Sequence, residues 1–214
     1  MKHQWTTRLA TVLMGAVLAG SALHASAQAG LDGHTFRVDY GVDLGLGTGF
    51  QALVGLDVVG EGAAGTLTIS STNSWSILAD ASTVFLRYTG SGDFMNAGTP
   101  SFIGFRISDQ HAQLEPIIGA TVVNTTYVQN QQGNLLEGFA PATDLTRPTA
   151  DAVMANLWHS MYHHHPMGSM GDPTRDLIAI QVNLAPVPEP GTYAMMGAGL
   201  LGIGFAARRA QRKR

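Results

Sequence analysis

The chain has 214 residues and no cysteine, with 26 glycines and only 13% charged residues, against roughly 25% in ordinary soluble domains. A hydrophobic fraction of 45% and a formal net charge of -3 exclude a disordered, charge-extended polymer. The lack of cysteine excludes a disulfide-stapled scaffold.

At the N-terminus, Lys2 and Arg8 precede an uncharged apolar stretch from Leu9 to Leu23, and Ala25-Ser26-Ala27 follows with the small residues that a signal peptidase reads. As a helix, this apolar stretch would span only about 22 Å of a hydrocarbon core about 30 Å thick. Residues 1–27 therefore read as a cleaved signal peptide, handled by the Sec translocon and signal peptidase.

Residues 28–186 form the expected body of the protein, and their 159 residues are enough for one domain. They hold five arginines (Arg37, Arg87, Arg106, Arg147 and Arg175), no lysine and fourteen acidic residues, a net of -9. Such an acidic surface is a poor match for a phosphate backbone, so nucleic acid is excluded as a partner.

Period-two alternation is clearest at Phe36, Val38, Tyr40, Val42 and Leu44, which interleave with Arg37, Asp39, Gly41 and Asp43. Further strands are predicted at 50–59, 65–70, 75–78, 83–89, 102–108, 117–129 and 177–184. Glycine-rich breakers at 45–49, 60–62, 89–93 and 130–133 separate several of them. The expectation is a mainly β domain, a single antiparallel, jelly-roll-like β-sandwich. One short helix is expected near 150–162: Thr149 would be its N-cap and Asp151 would lie in its first turn, with Val153, Met154, Leu157, Trp158 and Met161 on one face.

Four of the eight histidines lie at His159, His163, His164 and His165, followed by Met167, Met170 and Asp172. On a helix His159 and His163 would be i and i+4 neighbours, able to hold copper or zinc weakly with help from the thioethers. The plainer reading of these residues is a solvated helix end. The acids are scattered and lack the spacing of a calcium loop, which leaves loop calcium near 90–93 as a minor expectation. Asn124-Thr125-Thr126 fits a glycosylation acceptor pattern that short sequences often match by chance. The glycines of 45–49 lack the lysine and helix start of a phosphate loop. Neither His-Glu-x-x-His nor Gly-x-Ser-x-Gly occurs, so a non-enzymatic domain is expected. The alternatives are a secreted polysaccharide hydrolase, a surface metal-binding protein, or a carbohydrate-binding module using Trp75, Tyr88, Tyr127 or Trp158 as stacking platforms.

The C-terminus has three parts in a row. Val187-Pro188-Glu189-Pro190 is a rigid, extended start. An uncharged run from Gly191 to Ala207 follows, and then Arg208, Arg209, Arg212, Lys213 and Arg214 form a cationic stop that prefers the cytoplasmic side. This order resembles the PEP-CTERM sorting signal of Gram-negative exported proteins and covers 187–214 of the chain. The resemblance implies a transmembrane sorting helix, a precursor held in the inner membrane, and processing by an exosortase near Pro188-Glu189-Pro190. It further implies a product at the cell surface or in an extracellular matrix, associated with exopolysaccharide and biofilm.

Overall fold

The computed structural model describes residues 30–96, 100–124, 135–163, 176–186 and 190–211. Ala29–Ala185 is one compact unit, and Pro186–Arg214 belongs to a second. The first is mainly β and its sheets are antiparallel throughout.

Among the described residues twelve strands run in chain order: β1 (Thr35–Asp43), β2 (Gln51–Val59), β3 (Gly65–Thr68), β4 (Ser74–Asp80), β5 (Thr83–Tyr88), β6 (Phe94–Met95), β7 (Phe102–Ser108), β8 (Ile117–Val122), β9 (Leu145–Thr149), β10 (Ala152–Asn156), β11 (Met161–Tyr162) and β12 (Leu177–Leu184). One five-stranded sheet has the order β2-β1-β7-β10-β9. A second has the order β3-β4-β5-β12-β8, and β11 pairs with β6. A single turn of helix, α1 (Pro141–Asp144), precedes β9.

Alternation in the sequence becomes alternation of burial. In β4, Trp75, Ile77 and Ala79 turn inward, and in β5 Val84, Leu86 and Tyr88 do the same. The inner side chains of both large sheets merge into one core. Trp75, fully buried, is its centre: the indole meets Phe105 of the first sheet edge-on at 4.9 Å, Tyr162 at 5.0 Å and Tyr88 at 5.4 Å. Edge-to-face geometry suits rings whose faces are electron-rich and whose edges are positive. The indole N–H donates to Asn73 Oδ1 at 3.0 Å, which removes the cost of burying it.

A small polar network lies in this interior. Tyr40 donates to Asn96 Oδ1 at 3.3 Å, and Asn96 in turn donates to the carbonyl of Leu157 at 2.9 Å and to the Tyr162 hydroxyl. Burial pushes the Tyr40 phenol up to about 12, partly offset by its hydrogen bond with Tyr162. The Tyr162 phenol is raised as well, chiefly by burial.

The helix expected near 150–162 is not formed. β10 and β11 occupy that stretch, with a tight turn between them in which the N–H of Ser160 donates to the carbonyl of Leu157 at 3.0 Å. The reason is tertiary: β10 is paired on both edges, to β7 and β9, and Ala152, Val153 and Ala155 are buried. Val153 and Ala155 face the core and Met154 and Asn156 are half-buried on the opposite face, but Ala152 and Met154 on that outer face are apolar as well, so the run fits helical spacing as readily as alternation.

In the second unit, α2 (Pro190–Gln211) is a helix of 22 residues. A helix therefore forms where the sorting helix was expected. Among the described residues, however, no helix is long and apolar enough to cross a membrane. Glycine and alanine fill much of its uncharged run, and Arg208 and Arg209 already occupy its last turn, so its length exceeds its apolar content.

Candidate functional site

Two groups of polar side chains stand apart from the core, and the tail forms a third region. The first group lies on the outer face of the β2-β1-β7-β10-β9 sheet. Because Phe36, Val38 and Tyr40 point inward, Arg37 and Asp39 must point outward. Register then sets their partners: Arg37 lies opposite Asp57 of β2, and Asp39 lies opposite Arg106 of β7. Asp39 accepts from Arg37 Nε at 2.9 Å, from Arg106 Nη2 at 2.7 Å and from Gln110 Nε2 at 3.4 Å. Asp57 accepts from Arg37 Nη1 at 3.2 Å and has His111 Nε2 at 3.4 Å.

Although it is on the outer face, Asp39 is only 1% exposed. Its cover comes from the arginines themselves, and Arg106 lies 4.5 Å above the ring of Phe50. Gly55, opposite Asp39, makes this possible, since a Cβ there would collide with Asp39 Oδ1 and the Arg37 guanidinium. Hydrogen bonds from Arg37, and then His111, hold the Asp57 carboxyl below its ordinary value. Those to Asp57 and Asp39 raise the Arg37 guanidinium in turn. Chemically the cluster is a closed charge clamp between three strands. In the sequence Asp39 is one of the scattered acids, and the only local signal of the clamp is Arg37-x-Asp39, two residues that share one face of a strand.

The second group surrounds His163, just after β11. His163 Nε2 faces Glu137 Oε2 at 3.5 Å, and Nδ1 faces Asp176 Oδ1 at 3.7 Å. The backbone holds all three in place. Met161 N–H donates to the Glu137 carbonyl at 2.9 Å, His163 N–H to Asp176 Oδ2 at 2.5 Å, and Tyr88 N–H to the Asp176 carbonyl at 2.9 Å. Burial, followed by the charges of Asp93 and Asp176, raises the Tyr88 phenol.

His159 and His163 are not neighbours on a helix face. His159 sits in the turn before β11 at φ 73°, stacked on Trp158 at 4.2 Å. Among the described residues, no three or more His, Asp or Glu side chains form a metal-holding group. His164, His165, Met167, Met170 and Asp172 lie outside the described residues. In the loop proposed for calcium, the Tyr88 hydroxyl donates to the carbonyls of Gly92, at 2.5 Å, and Thr72, at 3.2 Å. The Asn124 amide, which opens the chance glycosylation pattern, donates to the Leu177 carbonyl at 2.7 Å and accepts from Ala179 N–H at 2.8 Å, bracing β12. Of the sugar-stacking candidates, Trp75 and Tyr88 are core residues, Trp158 is half-buried, and Tyr127 lies outside the described residues.

In the tail, Val187, Pro188 and Glu189 are outside the described residues, as are Arg212, Lys213 and Arg214. Pro190 opens α2, where its missing N–H costs nothing. Arg208 and Arg209 are exposed in the last turn, beside the negative end of the helix dipole.

Residues 186–210 match the family model of the PEP-CTERM protein-sorting motif. Comparison with curated proteins and with solved structures returned no match. The motif supports an exported protein that is processed by an exosortase and has a membrane-anchored precursor.

Proposed function

We propose that this is a non-enzymatic protein of the cell surface or extracellular matrix of a Gram-negative bacterium, released from its sorting tail by exosortase and retained among exopolysaccharide in a biofilm. The observation that carries the reading is the sorting motif at 186–210, directly after a β domain that ends at Leu184. In this reading the two five-stranded antiparallel sheets with their shared core form a β-sandwich, a scaffold that displays loops and faces. The pairing of Arg37, Arg106, Asp39 and Asp57 with one another favours a structural role for these charges over catalysis.

In this reading, the signal peptide directs Sec export and is removed by signal peptidase. α2 then engages the inner membrane as a short, marginal stop whose arginine cluster remains on the cytoplasmic side. A helix with so little apolar surplus suits an anchor that is meant to be cut away.

The test is fractionation of cells with and without exosortase, followed by mass spectrometry of the mature C-terminus. The expected result is a product ending near Pro188-Glu189-Pro190 in the surface or medium fraction. In the exosortase-deficient strain, the full-length precursor should stay in the membrane fraction. An unchanged C-terminus in both strains overturns the proposal.

A further inference from the structure

We propose that the outer face of the β3-β4-β5-β12-β8 sheet binds a neutral, extended polysaccharide. This rests on the reading of the domain as one retained among exopolysaccharide, and it names the surface and the class of polymer.

The first observation is electrical. The five strands of this sheet contain two charged residues, Asp80 and Arg87, one of each sign. Both point outward, because Trp75, Ile77 and Ala79 of β4 and Val84, Leu86 and Tyr88 of β5 fill the core. The face is therefore neutral, on a domain whose net charge of -9 repels anionic polymers and further copies of itself.

The second observation is the pattern on that face. Register sorts its side chains into rows that run across the strands, about 7 Å apart. Thr66, Ser76 and Arg87 lie opposite one another in one row. Leu78 and Phe85 form the next. Asp80, Thr83, Gln181 and Thr121 form the third, across four strands at about 4.8 Å intervals. An apolar stripe is thus bordered on both sides by polar groups. Leu78 is 37% exposed and Phe85 is half-buried, so the stripe is open to solvent.

A pyranose ring has the same division, with apolar C–H faces and a rim of hydroxyls. Its face can lie on the Phe85 ring and Leu78. Its hydroxyls both donate and accept, so they can satisfy Arg87, which only donates, and Asp80, which only accepts, as well as the threonines and Gln181, which do both. A row of four strands is long and flat, which suits a ribbon of β-linked sugars better than a single ring.

Arg87 supplies the third observation. Arg37 and Arg106 are paired with carboxylates, but Arg87 forms no ion pair among the described residues, and its Nε finds no acceptor. A half-buried guanidinium short of oxygen partners carries an unmet desolvation cost, which the oxygens of a bound sugar relieve.

The test is calorimetric titration of the full chain in nonionic detergent with soluble β-1,4-linked glucose and mannose oligosaccharides, and with a galacturonate oligosaccharide of the same length. At least one neutral oligosaccharide is expected to bind, and more tightly than the galacturonate. Phe85→Ala and Arg87→Gln should each weaken that binding by about tenfold, while Leu53→Ser, on a strand of the other sheet, leaves it unchanged. Arg87→Gln removes a side chain that makes no ion pair, so it keeps the test decisive if Phe85→Ala fails to fold. Absence of binding by both neutral oligosaccharides overturns the proposal, as does tighter binding of the galacturonate, or binding that neither variant weakens. Dimerisation of the chain that Phe85→Ala abolishes also overturns it, and assigns the face to a second copy. None of these outcomes alters the mature C-terminus, which tests the sorting reading separately.

Discussion

Asp39 and Arg106 face each other across β1 and β7, joined by a 2.7 Å hydrogen bond on the outside of a sheet, and yet the carboxylate is closed off from water. It is covered by its own counterions, so removing its charge should unsettle both. Asp39→Asn is expected to cost about 2 kcal/mol in urea unfolding, below the usual penalty for breaking a buried pair because each arginine is about one-third exposed and can recover water. Asp57→Asn, with a half-exposed carboxylate, should cost less than about 1 kcal/mol. Equal effects at the two positions would contradict the clamp.

The same cluster gives an acid response. The Asp57 carboxyl titrates below its ordinary value of 3.8 in the folded state, mainly because of its hydrogen bond with Arg37. Its contribution is therefore present above about pH 4, and is lost as the pH falls through the lowered folded value. Thermal unfolding followed from pH 5 to pH 2 should show a drop in Tm that is shallower in Asp57→Asn. Identical curves for the two proteins would refute it.

An alkaline response has the opposite sign. The Tyr40 phenol is raised from 10.0 to about 12 by burial, so the unfolded chain ionises first. Stability is intact below pH 10 and is lost as the pH rises towards 12, by about 3 kcal/mol for this group. Tyr40→Phe should flatten the pH dependence over that window, while lowering stability at neutral pH because Asn96 loses a donor. Chemical denaturation at pH 7, 10 and 11 measures both effects.

At the centre of the core, Trp75→Ala should cost about 3–5 kcal/mol, and Trp75→Phe distinctly less. The phenylalanine still fills much of the space beside Phe105 and Tyr162, but strands Asn73 Oδ1 without its indole donor. Both variants should lose near-ultraviolet circular dichroism, since the ring cluster is its main asymmetric environment.

Replacing Arg208, Arg209, Arg212, Lys213 and Arg214 with glutamine should remove the cationic stop and leave α2 free to slip through the translocon. Immunoblotting of cell fractions is expected to show loss of the processed species. Processing at an unchanged level would separate sorting from these charges.

Much of the β architecture is legible in the sequence. Strands 102–108 and 177–184 were read with the bounds that β7 and β12 have, and β1, β2 and β5 were read to within a residue or two, because each shows its apolar side chains in alternation or as a short run between breakers. β10 is predicted as helix because Ala152 and Met154 on its outer face are apolar like the inward Val153 and Ala155, and because Val153, Leu157 and Met161 fall at intervals of four. The charge clamp is invisible for another reason: Asp57 reaches Arg37, and Arg106 reaches Asp39, only through strand register, which links positions up to nearly seventy residues apart. Glu137 and Asp176 were likewise too distant in sequence to be joined to His163, and the expected helical partner His159 turned instead to Trp158.

β12 is the last strand before the tail and lies between β5 and β8, hydrogen-bonded along both edges. A pull directed along the strand from its C-terminal end must slide it past two neighbours at once. Many hydrogen bonds would have to rupture together rather than peel apart one by one. A domain held through such a strand resists drag along the strand axis better than drag across it.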